Sequence, residues 1–159
     1  MKFLVVSKGK HRSTLLPLPT IIPLTWVGGT YTFTDSCAYE LADGDQDDWN
    51  KLVGATIGLI HPHTWSARVA WRYKDTHIEL TPYLYKNGKR VIYDNPVKVD
   101  LNVPILVRLE FFDNKVFIRI GEKTYLIAMK YDALFGIKLN LYFGGNKQAP
   151  HKIIIIKDL

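Results

Sequence analysis

Five residues, spaced along one short stretch, form the set in this sequence best suited to binding chemistry. They are Arg68, Arg72, Glu79, Tyr83 and Tyr85. Arginine offers a planar fork of N–H donors to carboxylates or sugar hydroxyls, and tyrosine offers a flat apolar ring that ends in a hydroxyl. Together they predict a glycan-binding groove. The alternative is an ordinary outer face on which Glu79 pairs with an arginine of the neighbouring strand.

Two adjacent predicted strands, 65–73 and 77–85, must position this set, and a short break at 74–76 joins them. Successive side chains of a strand point to opposite faces, so residues of equal parity lie together. The parity opposite to the arginines and tyrosines is largely apolar: Trp65, Ala67, Val69, Trp71, Tyr73, Ile78, Leu80, Pro82 and Leu84. The stretch therefore predicts a β-hairpin with one face in a core and one face of Arg, Glu and Tyr.

Two histidines precede the hairpin, at His61 and His63. A metal site needs at least a third ligand, and the sequence identifies none. Hydrogen bonding to the loop backbone is the favoured interpretation. His63 would be placed to act as a general base only if it faced the arginines and tyrosines of the hairpin.

An acidic loop supplies the other candidate for metal binding. Asp43, Asp45 and Asp47 have the alternate-residue spacing of a calcium loop. Asp48 stands where such a loop needs glycine, and Gly54 stands where it needs glutamate, so this is not an EF-hand. We expect a solvated loop and no cofactor, with a looser calcium site at the three aspartates as the alternative.

No catalytic signature appears in the sequence. It has no Walker-type glycine loop, no Gly-x-Ser-x-Gly elbow and no zinc signature. We therefore predict no catalytic residue, and the sequence leans against an enzyme without deciding the question.

Composition describes a chain of ordinary globular character. Its 159 residues are enough for one well-buried domain, with 47% hydrophobic and 23% charged residues, while the aromatic share of 13% is high and suits strands and contact surfaces. The net charge is +6, and Lys8, Lys10, His11 and Arg12 form the only short basic run. We interpret this as general surface charge, with an anionic partner as the alternative. The single cysteine, Cys37, excludes an intramolecular disulfide and predicts a buried small residue.

The first residues carry too short an apolar run for a signal peptide. No stretch approaches the roughly 18 apolar residues of a membrane-spanning helix. We expect a protein used in a cytoplasm or inside a larger assembly, without a membrane span and without a specific nucleic-acid partner.

The chain divides by pattern into an N-terminal strand and extended arm, 1–27, and one domain, 28–159. Pro17, Pro19 and Pro23 exclude a helix and a central strand between residues 15 and 24. The apolar residues of this arm need a cover, which is either the core of the same chain or a neighbouring subunit. The second alternative predicts a homo-oligomer joined through the arm.

Ten or eleven short strands at regular spacing, with almost no helix, predict an all-β sandwich or barrel. At this length a two-sheet jelly roll is favoured over an immunoglobulin-like sandwich. Among the smaller elements, the pattern predicts a short strand at 37–41, a helical turn at 49–52 and another at 131–135.

The strand pattern resembles that of the concanavalin A-like jelly-roll proteins. A narrower resemblance is to small uncharacterised jelly-roll proteins of bacteriophages that infect Bacteroides-type hosts. Its motifs span about two-thirds of the chain: Asp48-Trp49-Asn50-Lys51-Leu52, Ser66-Ala67-Arg68 with Trp71-Arg72, Tyr85-Lys86-Asn87-Gly88-Lys89-Arg90, and Tyr142-Phe143-Gly144-Gly145-Asn146 with Ala149-Pro150-His151.

The resemblance implies a structural or binding component of a larger assembly, located in the virion or in the cytoplasm of the host, with a concave face for glycan. The wider fold group also contains polysaccharide lyases, which use Arg, His and Tyr on such a face. Arg68, Arg72, His77 and Tyr83 are of suitable type, but the order and spacing of the lyase motifs are not reproduced. A glycan-active enzyme is therefore the alternative, since fold alone does not choose a function.

Overall fold

In the computed structural model of the chain, residues 1–13, 19–42, 44–129 and 133–158 are described, and they form two antiparallel sheets. The strands are β1 (Lys2–Val6), β2 (Ile21–Pro23), β3 (Trp26–Phe33), β4 (Asn50–Thr56), β5 (Trp65–Lys74), β6 (His77–Lys86), β7 (Lys89–Ile92), β8 (Val97–Val99), β9 (Pro104–Phe112), β10 (Lys115–Ile120), β11 (Lys123–Ala128), β12 (Phe135–Leu139) and β13 (Ile153–Asp158). One sheet has the order β1-β13-β3-β9-β10-β11. The other has the order β2-β12-β4-β5-β6-β7, and β8 also pairs with β6. The predicted all-β, two-sheet jelly-roll sandwich is confirmed.

The core lies between the sheets and is built from the inward parity of their strands. Trp71 on β5 is fully buried at its centre, where its ring lies 5.2 Å from that of Phe33 on the opposite sheet and 6.2 Å from that of Phe143. The first sheet contributes a layer of fully buried aliphatic side chains: Val107, Leu109, Val116, Ile118, Ile120, Ile153 and Ile155. Burial of this apolar surface is the main force that holds the two sheets together.

The predicted hairpin is β5 and β6, which pair along their whole length. Lys74 pairs with His77, so the turn consists of Asp75 and Thr76, with φ angles of 48° and 71°. Two positive φ angles in a two-residue loop are the geometry of a type I′ turn. The second hairpin turn, at Asn87-Gly88, has φ angles of 49° and 80° and the same geometry.

The N-terminal part of the chain contributes strands to both sheets. β1 pairs with β13, and Val6 at its end is fully buried in the core. β2, which contains Pro23, pairs with β12. Residues 14–18 of the predicted proline-rich arm lie outside the described residues.

Two smaller predictions are wrong. Trp49 to Leu52 is not a helical turn, because Asn50 to Leu52 already belong to β4 and a 3-10 turn lies earlier, at Asp45–Asp47. Residues 38–41 belong to no strand and follow another 3-10 turn, at Asp35–Cys37. Residues 131 and 132 of the predicted turn at 131–135 lie outside the described residues, and Phe135 already belongs to β12. The described part of the chain contains no helix long and apolar enough to cross a membrane.

Candidate functional site

Strand register places Arg68 directly opposite Tyr83, on the face of β5 and β6 that points away from the core. The Arg68 side chain is largely buried, and one of its terminal amino groups donates a hydrogen bond of 2.8 Å to the Asn140 carbonyl. Its Nε is also buried and has no hydrogen-bond partner among the described residues. Tyr83 is only 6% exposed, so its ring forms the floor of this face and not a contact plate.

Gly54 on the neighbouring strand β4 makes room for the Arg68 side chain. A Cβ built on Gly54 would lie 2.7 Å from both Cα and Cγ of Arg68 and 2.2 Å from the Ala67 carbonyl oxygen. Any larger residue would therefore displace the arginine. The glycine interrupts an otherwise apolar strand because two backbones approach closely there, as its position in the sequence indicates.

Lys51 on β4 brings a second cation to the same place. Its Nζ lies 5.1 Å from the centre of the Tyr83 ring and 5.8 Å from that of Tyr142, which is within the range of cation–π attraction. The ammonium also donates hydrogen bonds to the carbonyls of Trp49 at 2.7 Å and Gly144 at 3.3 Å. These contacts hold the amino group beside the tyrosines.

Backbone hydrogen bonds to two other segments hold Tyr142 in place. Its N–H and carbonyl both bond with the backbone of Lys51, and the next residue, Phe143, donates its N–H to the His11 carbonyl. The His11 ring stacks on the Tyr142 ring at 5.1 Å between centres, and the Arg12 guanidinium lies 5.7 Å from that ring. The ring of Tyr142 is half-buried, so part of it is open to solvent.

Tyr85 and His63 form the other side of the face. Their rings stack at 4.6 Å with an angle of 21° between planes, and Tyr85 meets Tyr83 edge-on at 6.0 Å. His63 therefore faces the tyrosines of the hairpin, which is the position that it would need to act as a general base. Neighbouring Arg90 on β7 is exposed and pairs with Tyr85 in the strand register.

We call Lys51, Arg68, Tyr83, Tyr85 and Tyr142 the basic–aromatic cluster; His63, Arg12 and Arg90 lie at its rim. Burial lowers the pKa of Lys51 to about 8, and the positive charges of Arg68 and Arg90 act in the same direction while Asp48 opposes them. The pKa of His63 is also lowered, first by burial and then by His61, Lys51 and Arg68. Among the described residues, no carboxylate lies within ion-pairing distance of Lys51, Arg68 or Arg12. The cluster therefore gathers positive charges that have no directly paired carboxylate.

The other two members of the predicted set lie at the opposite end of the hairpin and bind each other. Arg72 Nε donates to Glu79 Oε2 at 2.7 Å, and the Glu79 side chain is only 8% exposed. The Arg72 guanidinium also stacks over the Trp49 ring at 4.3 Å and donates to the Asp47 carbonyl. The guanidinium is thus paired with a carboxylate on one side and stacked on an indole, so this end has the geometry of an ion-paired surface.

The acidic loop does not gather metal ligands within the described residues. The Asp47 carboxylate pairs with Lys74 at 2.7 Å, and Asp45 lies 3.9 Å from Lys147. Asp43 lies outside the described residues. No group of three or more potential ligands occurs in the described part of the chain. Because the calcium alternative includes Asp43, it stays a prediction.

Lys51, Tyr142 and Arg12 join the site from segments that the sequence analysis did not connect with the hairpin. Lys51 and Tyr142 lie in two of the resemblance motifs, Asp48 to Leu52 and Tyr142 to Asn146. The short basic run at 8–12 contains Arg12. Their meeting depends on a β-bridge between Lys51 and Tyr142, and strand alternation within the hairpin carries no signal for it.

Comparisons with known proteins add little about this site. No protein-family model matches the chain, and no curated protein matches it. Among solved structures, the chain is similar to a carbohydrate-binding module, CBM66, from Bacillus subtilis. The two are 10% identical, the alignment covers 85% of this chain and 73% of that one, and the TM-score is 0.44. Similarity at this level does not identify what the present chain binds.

Proposed function

We propose that the chain is a non-enzymatic glycan-binding module and that the basic–aromatic cluster is its binding site. One observation carries the proposal. Two half-buried tyrosine rings, Tyr85 on β6 and Tyr142 at the bridge with Lys51, flank the same pair of cationic donors, Lys51 and Arg68. Sugar rings have apolar C–H faces that pack on aromatic rings, and their hydroxyls accept hydrogen bonds from arginine and lysine. The cluster offers both kinds of contact.

The rings are held before any ligand arrives. Tyr142 is stacked on His11 and Tyr85 on His63, and the backbone of Tyr142 is bonded to that of Lys51. Rings that are already ordered lose little conformational entropy when a ligand binds, which favours affinity.

Binding to a panel of polysaccharides, measured by affinity electrophoresis and calorimetry, tests this function. We expect Tyr85→Ala and Tyr142→Ala each to weaken binding about tenfold, because each removes one ring surface. Trp26→Ala is the matched control, since Trp26 is 52% exposed and stacked under Arg108 on the other sheet. Equal losses in all three variants, or no binding of any glycan, would contradict the proposal.

We further propose that the module works within a larger assembly, a phage particle. The sequence resemblance to small jelly-roll proteins of bacteriophages supports this role. The chain would then be found in the virion, or in the host cytoplasm before assembly. The test has two parts: finding the coding sequence in a phage genome, and mass spectrometry of purified particles of that phage. Absence of the chain from such particles would exclude a virion role and leave the glycan site unaffected.

A second candidate function, a polysaccharide lyase, is favoured by the position of His63. Its ring stacks on Tyr85 beside two cations, and its lowered pKa keeps it in the neutral form that accepts a proton. In such a reaction His63 would take the proton next to a uronate carboxylate that Arg68 neutralises, a tyrosine would protonate the leaving oxygen, and a carbon–carbon double bond would form. Ultraviolet absorbance of unsaturated product from acidic polysaccharides distinguishes the two functions. Steady release of product would overturn the non-enzymatic proposal.

A further inference from the structure

We propose that the basic–aromatic cluster contains a subsite for an anionic group, and that its ligand is an acidic polysaccharide bearing carboxylates or sulfates. The inference rests on the proposed glycan-binding function and adds the chemical class of the ligand. In this subsite Arg68 and Lys51 bind the anionic group, and Arg12 contributes charge from the rim.

The first support is the imbalance of charge. The charge of Arg68 disfavours the charged form of Lys51, and the charge of Arg12 disfavours that of Arg68. Like charges that share a partly buried site are unfavourable unless an anion neutralises them. Elsewhere on the molecule the arginines have carboxylate partners, as Arg72 has Glu79 and Arg108 has Glu110 at 2.6 Å. Within the described residues no carboxylate pairs directly with the cations of the cluster, and an acidic ligand would supply that partner.

The second support is the unused hydrogen-bonding capacity of Arg68. Among the described residues, only one of its terminal amino groups has a protein acceptor, the Asn140 carbonyl. Its Nε is buried and has no partner there, and leaving a buried charged donor unpaired is costly. A carboxylate or sulfate would accept a charge-assisted hydrogen bond from the other terminal amino group and would offset the charge of the whole guanidinium. A neutral sugar hydroxyl would accept a weaker hydrogen bond there.

The third support is the local character of the positive charge. A nucleic acid carries regularly spaced phosphates and is bound by a track of cations along a surface. The cations here converge on three tyrosines, and Arg68 itself is largely buried. This arrangement suits single charged groups that project from a polymer whose rings pack on Tyr85 and Tyr142.

A polyuronate and the same polymer after carboxyl reduction provide a matched pair of ligands, because only the charge differs. We expect the reduced polymer to bind at least about tenfold more weakly, since a hydrogen-bonded charged contact is lost. Lys51→Met and Arg68→Lys should weaken binding of the acidic polymer by a similar factor and binding of the reduced polymer by a clearly smaller one, because the reduced polymer loses only hydrogen bonds to hydroxyls. Arg68→Lys keeps the charge in a variant that is less disruptive than truncation, and a melting curve for each variant verifies folding. Arg119→Gln on the other sheet is the control.

The outcomes separate the two levels of the proposal. Equal affinity for the acidic and the reduced polymer would overturn the anionic subsite and leave glycan binding intact. Stronger binding of single-stranded DNA than of the polyuronate, at equal ionic strength, would also overturn it. Failure to bind any glycan would contradict the proposed function. In that case the subsite is still tested by sulfate ion. Sulfate stabilises proteins in general, so we expect it to raise the melting temperature of the wild type, relative to chloride of equal ionic strength, by more than that of Lys51→Met. Equal increases in the two proteins would overturn the subsite.

Discussion

Lys51 is a partly buried cation that would contact the proposed ligand directly. Its free pKa of about 8 lies close to physiological pH because burial disfavours the ammonium form. An anionic ligand favours that form and raises the pKa in the complex, so binding takes up a proton as the pH approaches and passes 8. Affinity for an acidic glycan should therefore be full well below pH 8 and should fall as the pH rises above it.

Calorimetry at a series of pH values on both sides of 8 measures this effect. The titratable and charged groups that face Lys51 are Asp48 beside β4, Arg68 on β5, Tyr83 on β6, Arg90 on β7 and Tyr142 at the bridge. Lys51→Arg keeps its charge throughout this range, so the variant should lose the decline. A decline of equal size in the variant would assign the pH dependence to another group.

Glu79 provides a contrasting test, because its role lies in stability. Glu79→Gln keeps the shape of the side chain but removes the charge that neutralises the half-buried Arg72 at 2.7 Å. We expect a loss of about 1–3 kcal/mol in the free energy of unfolding, the usual effect of breaking a largely buried charged hydrogen bond. Urea denaturation measures the loss, and glycan affinity should not change. A loss of affinity without a loss of stability would place Glu79 in the binding site instead.

The two ends of the hairpin show how much of the site the sequence could predict. Alternation alone predicts correctly that Arg68, Arg72, Glu79, Tyr83 and Tyr85 share a face, since the period of two is a property of any extended strand. It cannot separate a paired arginine from an unpaired one, because that depends on which other segments pack over each end. The loop with Trp49 covers Arg72, whereas the bridge at Tyr142 lies beside Arg68. Such contacts are long-range and leave no periodic signal.

At the scale of the hairpin, the turn at Asp75-Thr76 carries local strain. Thr76 has a φ angle of 71°, which a β-branched side chain adopts only at a cost. Thr76→Gly should stabilise the protein by about 1 kcal/mol, because glycine reaches positive φ angles without that steric cost. Thermal or urea unfolding measures the change. Thr124→Gly on β11 is the control, since Thr124 is exposed whereas Thr81 is buried, and this control variant should be destabilised. Stabilisation by both Thr76→Gly and Thr124→Gly would show that the turn is not the cause.

At the scale of the whole molecule, the N-terminal segment belongs to the sandwich as the structure describes it. Removing residues 1–27 would delete β1, β2 and the start of β3, together with the buried side chains of Val6 and Val27. It would also expose one edge of β13, whose four consecutive isoleucines, 153–156, would then form an unprotected edge strand prone to association. A change in mass after this deletion would therefore not by itself demonstrate an oligomerisation arm.

We expect the chain 28–159 to lose cooperative unfolding, and Cys37 provides the measurement. Its side chain is fully buried beside β13, where the thiol contacts the Ile154 carbonyl at 3.4 Å, and burial raises the thiol pKa to about 12. In the full-length chain a thiol reagent should react only through unfolding, because neither access nor thiolate is available in the native state. In the truncated chain the reaction should approach the rate seen for the full-length chain in urea. Slow labelling together with a cooperative melt would contradict this expectation, because residues 28–159 would then fold as an independent domain.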